Sequence, residues 1–176
     1  MKKRLSENRA LGALALACAV VLGVVVLGCV KVSGLADEAL GYYQDNMSAD
    51  FAAREAAADS LLALAEGRVE DSLLQSARTA LEESRAARSP SDRYAAGLEL
   101  KTAVELLYNA LPSDERDGQG SPAQMAWSEF TSRTAILSHA VPEYNELARA
   151  AARKTGGFPA SLWAKLTGAQ VQEMVG

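Results

Sequence analysis

Residues 121–151, SPAQMAWSEFTSRTAILSHAVPEYNELARAA, decide the fold. Ala123, Trp127, Phe130, Thr134, Leu137, Val141, Tyr144, Ala148 and Ala151 succeed one another in alternating steps of four and three. A mean spacing of 3.5 is the mark of a helix lying lengthwise against its neighbours in a bundle or coiled coil. The start of this helix is equally clear: Ser121 can cap, Pro122 suits the first helical position, and Gln124 completes a capping box. Pro142 falls inside the repeat, where a missing N–H bends an axis, yet the seam keeps phase across it. Gly156-Gly157 is the stop, and a short last helix is expected over residues 159–166.

The pattern extends upstream. A second helix is expected from Asp92, read as its N-cap, through Ala96, Leu100, Ala103, Val104, Leu107 and Leu111 to Pro112, followed by the polar loop SDERDGQGS. Before Ser89-Pro90-Ser91, a helical spacing joins Leu40, Tyr43, Met47, Phe51, Ala58, Leu62, Ala65, Val69, Leu73, Ala77 and Leu81. Arg54 is its weak step, and Glu66-Gly67 is the place for a bend. No run alternates polar and apolar residues as a strand would. The expected architecture is all-α, an antiparallel bundle of long helices over residues 34–168, with a tail over 169–176.

Residues 11–30, LGALALACAVVLGVVVLGCV, carry no charge. A helix of that length spans about 30 Å, the thickness of a bilayer's hydrocarbon core. A transmembrane helix is therefore expected, ending near Ser33-Gly34, and its partner is the lipid bilayer. Residues 1–10 hold Lys2, Lys3, Arg4 and Arg9 against Glu7, so a chain of net charge −4 has its acidity in the body. Cationic residues resist translocation, which places the N-terminus in the cytoplasm and the body outside. An acidic body also excludes the basic patch that nucleic-acid binding needs. Val26-Leu27-Gly28-Cys29 reads as a lipobox, so Cys29 is a candidate acylation site and an exported lipoprotein is the alternative to a retained anchor. Small residues at Ala15, Ala19 and Gly23 share one helix face and would allow a homo-oligomer.

Chemistry is poorly supplied. His139 is the chain's single imidazole and sits off the seam. Glu82-Glu83 and Glu70-Asp71 are adjacent pairs, which diverge by about 100° on a helix and suit a solvated face. Gly118-Gln119-Gly120 lacks the spacing of a phosphate loop. No catalytic residue, metal site or cofactor is expected, and an envelope enzyme built on carboxylates is the outlying alternative. Trp127, Phe130 and Tyr144 read as core aromatics.

Tyr144-Asn145, then Phe158-Pro159-Ala160-Ser161-Leu162-Trp163-Ala164-Lys165-Leu166 with Gly168 after it, resembles the closing helix of the LemA family. The order of parts is similar too: a basic start, one membrane helix, then long helices. Ala151 and Ala152 stand where that family repeats its Tyr-Asn. The resemblance implies a membrane-anchored helical bundle without catalytic residues, in which Tyr144, Asn145, Phe158, Pro159 and Ala164 are structural. Partners of the Tyr144 hydroxyl and the Asn145 amide are expected near the turn at Gly157. The functional expectation is a non-enzymatic, membrane-anchored bundle that presents a helical surface to a protein partner at the cell envelope. As a lipoprotein acylated at Cys29, it would instead bind a ligand or client protein.

Overall fold

A computed structural model describes residues 2–116, 118–157, 160, 161, 164 and 171–175; in its first helix the side chains of residues 2–15, 17, 18, 21, 29, 31–33 and 35 lie outside the description. The elements are α1 (Lys2–Asn46), α2 (Ser48–Ala65), α3 (Asp71–Ala86), α4 (Pro90–Ala110), α5 (Ser113–Arg116) and α6 (Pro122–Thr155), with no strand among the described residues. The fold is all-α, as the periodicity predicts.

Several boundaries differ from expectation. Ser33-Gly34 does not interrupt α1, which runs through it; a lone glycine in a helix interior carries only about 1 kcal/mol. α1 and α2 meet at Met47, where the i→i−4 ladder continues from Met47 N–H to the Tyr43 carbonyl and from Phe51 N–H to the Met47 carbonyl. The break after α2 does fall at Glu66-Gly67, as expected: Gly67 takes φ +70°, and Arg68 N–H closes the turn on the Ala65 carbonyl. Ser89, not Asp92, caps α4, accepting from Asp92 N–H at 3.1 Å. That choice leaves Pro90 in the first turn, where its missing N–H is harmless. The polar loop after Pro112 contains the single turn of α5.

The best-read element is α6. Ser121 Oγ accepts from Gln124 N–H at 3.0 Å, and Gln124 Oε1 reaches back to the N–H of Gly120 rather than Ser121. Of the nine seam positions, Trp127 and Thr134 are half-buried and the rest buried. Pro142 lies on the exposed face, so the helix passes it with Val141 and Tyr144 still facing inward.

Polar contacts fix the helix directions. Tyr42 donates to Glu143 and Arg133 pairs with Asp50, so α1–α2 run antiparallel to α6. Arg78 with Glu66 and Arg85 with Asp59 set α3 antiparallel to α2. The three residues 87–89 then fold α4 back onto α3. Two apolar clusters result. One joins Ala58, Leu61, Leu62, Ala77, Leu81, Leu100, Val104, Leu107 and Phe130. The other joins Ala39, Met47, Phe51, Leu137, Val141, Tyr144, Ala148 and Met174. In α1 the core begins at Ala36 and Ala39, while Leu40, expected on the seam, is exposed.

Leu16, Val20, Leu22, Val24, Val26, Leu27 and Val30 are 54–72% exposed. Among the described residues, no helix is long and apolar enough to cross a membrane. The expected span over residues 11–30 is only partly covered by described side chains, and that of Cys29 is outside them.

Candidate functional site

Two arrangements of side chains in this bundle were not evident from periodicity. The first is a charged layer between the two apolar clusters. Arg54 and Glu55 are 2% and 4% exposed. Glu55 Oε1 accepts from Ser84 Oγ at 2.8 Å and from Arg93 Nε at 2.9 Å, while its Oε2 accepts from Arg93 Nη2 at 2.7 Å. The fork-on-fork geometry of Arg93 and Glu55 is the strongest form of such a pair. Arg93 Nη1 also donates to the Tyr43 hydroxyl at 3.2 Å. α1, α2, α3 and α4 are tied at one level.

Arg54 is different. Its Nε and Nη2 are buried and find no acceptor among the described residues. Its guanidinium lies 5.1 Å from the Phe51 ring centroid, and that of Arg93 lies 5.3 Å from the same ring. Burial pushes the pKa of Arg54 down to about 10, against the pull of Glu55, and the hydrogen bonds to Glu55 raise that of Arg93. A buried cation and a half-buried one thus lie beside one carboxylate, which, of the two, only Arg93 hydrogen-bonds among the described residues. Gly97 of α4 makes the space: a Cβ there would stand 2.0 Å from Arg54 Nη2. Through these bonds Glu55 ties α2 to both α3 and α4.

The second arrangement is a clamp on the C-terminal segment. Asn145 Nδ2 donates to the Met174 carbonyl at 2.8 Å, and Asn145 Oδ1 accepts from Met174 N–H at 2.7 Å. One side chain therefore pairs with a residue's backbone as a neighbouring strand would. Tyr144 donates its hydroxyl to the Gln172 carbonyl at 3.3 Å, and Arg149 meets Glu173 at 3.1 Å. Met174 is 2% exposed, whereas Gln172, Glu173 and Val175 face solvent. Burial pushes the Tyr144 phenol up to about 12, with Tyr43 adding to the shift. Tyr42 is raised by burial and then by its bond to Glu143.

The clamp is nearly balanced. Burying a Met side chain stabilises by about 2 kcal/mol, each hydrogen bond by about 1 and an exposed ion pair by at most about 1. Ordering five residues of backbone opposes this with about 1–2 kcal/mol each.

The family-motif residues separate accordingly. Tyr144 and Asn145 act together, but on residues 172 and 174 rather than near Gly157. Ala164 is helical and 4% exposed, while Phe158 and Pro159 lie outside the described residues. His139, Glu82 and Glu83 are exposed. Among the described residues no group of three or more His, Cys, Asp or Glu side chains could hold a metal ion. Trp127 stacks at 4.6 Å on Tyr108 and 5.9 Å from Phe130, beside an open groove of about 430 Å³ that Lys101, Glu105 and Thr134 also line.

No family model matches this chain, and neither a curated protein nor a solved structure matches it.

Proposed function

We propose that the chain is a non-enzymatic, membrane-anchored helical bundle of the LemA-like type, with residues 11–30 lodged in lipid and the bundle held outside the cytoplasmic face. The observation that carries this is the state of α1. Leu16, Val20, Leu22, Val24, Val26 and Leu27 stand 54–72% exposed. A soluble chain rarely leaves so many large apolar side chains contiguous and uncovered, and hydrocarbon would bury all of them at once. The uncharged sequence of residues 11–30 and the basic residues before it support the same placement. The bundle then presents an acidic helical surface to a protein partner at the envelope.

Alkaline extraction of membranes tests the anchor. The full-length protein is expected to stay with the lipid pellet, and its release as an intact, uncleaved chain would overturn the proposal. An intact mass showing cleavage before Cys29 with an added acyl group would replace the retained anchor with the lipoprotein form.

A further inference from the structure

We infer that the groove now filled by residues 171–175 is a binding site for an extended segment of another protein, with the chain's own tail as its resident competitor. This rests on neither the lipid placement nor the LemA resemblance.

The recognition chemistry is visible in the occupant. Asn145 spends both ends of its amide on the N–H and C=O of Met174, at 2.7 and 2.8 Å. Such pairing demands an extended backbone and is indifferent to the side chain that carries it. Three features add selectivity. The single deep anchor is Met174, in the cluster with Ala39, Tyr144 and Ala148. Arg149 faces Glu173 at 3.1 Å and so favours a carboxylate just before the anchor. Lastly, the tail underfills its own groove. A cavity of about 280 Å³ adjoins Val171 and Gln172, walled by Leu40, Pro90 and Tyr144. Asp92 also lines it, which disfavours a second acid there. The best occupant therefore carries an aliphatic side chain larger than valine at the Val171 place, an acid at the Glu173 place and a methionine at the Met174 place.

The test uses the full chain in detergent micelles and a fluorescein-labelled peptide, AQVQEMVG, read by anisotropy. Met174→Asp in the protein ejects the tail but leaves the groove intact, and is expected to tighten peptide binding by about tenfold or more, because the competitor is gone. Adding Asn145→Ala is expected to remove that gain. A peptide with Leu at the Val171 place should bind tighter, and one with Lys at the Glu173 place weaker. Should Met174→Asp not fold, Glu173→Lys in the protein sets like charges together at Arg149 without touching the core, and a severalfold gain is expected. No gain with either folded variant, or binding indifferent to Asn145→Ala, overturns the inference. A dimer of the unaltered chain that Met174→Asp dissolves would give the groove to a second copy and overturn the assignment to another protein. The protein need not reach a membrane for any of these readings, so failure here and failure of the lipid anchor are distinguishable.

Discussion

Arg54→Met should stabilise the bundle, although it deletes a buried charged side chain. Arg54 is 2% exposed, and its Nε and Nη2 have no acceptor among the described residues. Its pKa is pushed down to about 10 even with Glu55 beside it. Converted at about 1.4 kcal/mol per tenfold, the depression corresponds to a penalty of about 3 kcal/mol for keeping the charged form in place at neutral pH. Against that, the guanidinium gains from the face of Phe51, 5.1 Å away, a contact worth about 1–2 kcal/mol when desolvated. Methionine keeps an unbranched apolar stem of similar reach and carries no charge. The net expectation is a gain of about 1–2 kcal/mol, which for a body of this size moves the midpoint of thermal unfolding up by several degrees.

Urea unfolding followed by helical circular dichroism measures the difference. Glu55→Gln is the matched control with the opposite sign. It leaves buried Arg54 and half-buried Arg93 without the carboxylate beside them, and a loss of about 3–5 kcal/mol is expected. If Arg54→Met destabilises the bundle by more than about 1 kcal/mol, the guanidinium has a partner that this account denies it, and the reasoning fails.

Gly97→Ala should lower stability by about 2 kcal/mol, since its Cβ would stand 2.0 Å from Arg54 Nη2; in the Arg54→Met background the loss should fall below about 1 kcal/mol, a coupling that a double-mutant cycle reads directly. The Tyr144 phenol, pushed from 10.0 to about 12, lowers stability as pH rises, whereas Arg54, lowered to about 10, acts with the opposite sign in the same window. Below pH 10 the Tyr144 phenol is neutral in both states, and between about 10 and 12 only the unfolded chain loses its proton, so the Tyr144 contribution to stability falls across that window. Urea titrations at pH 9 and 11 in the Arg54→Met background, free of that opposing term, should show the fall, and less of it once Tyr144→Phe is added.

Periodicity located the helices because burial is periodic, and it failed where burial is paid in charge. The seam of α6 was legible residue by residue, since each inward position is apolar or small. Arg54 was visible only as a weak step on α2, because a sequence pattern ranks arginine as exposed. The one clue lay on another helix: Gly97 stands in the buried stripe Gly97, Leu100, Val104 and Leu107 of α4, and a glycine there implies something large across from it. The clamp was half legible. A Tyr on the seam followed by an Asn announces a polar group that must find a backbone partner. Which backbone was beyond reach, because residues 171–175 form no periodic element and are held by contacts 28 and 29 residues away.

The continuity of α1 links these features. Val30 is exposed and Ala36 is buried, and the two stand six residues apart on one helix, about 9 Å of rise. A Ser-Gly hinge at positions 33 and 34 would have let the bundle swivel, but the helix passes through unbroken. If residues 11–30 lie in lipid, as proposed, the bundle is oriented by the anchor rather than hung from it. The end it then holds at the surface is the one where Ala39, Tyr144 and Met174 meet. On that proposal, a groove fixed at that height would sample segments that emerge from neighbouring membrane proteins, and tethering in one plane would raise their effective concentration. A cis competitor as evenly balanced as the clamp then suits the geometry: firm enough to cover the groove when no such segment is near, and weak enough to yield to one that fills the space beside Val171.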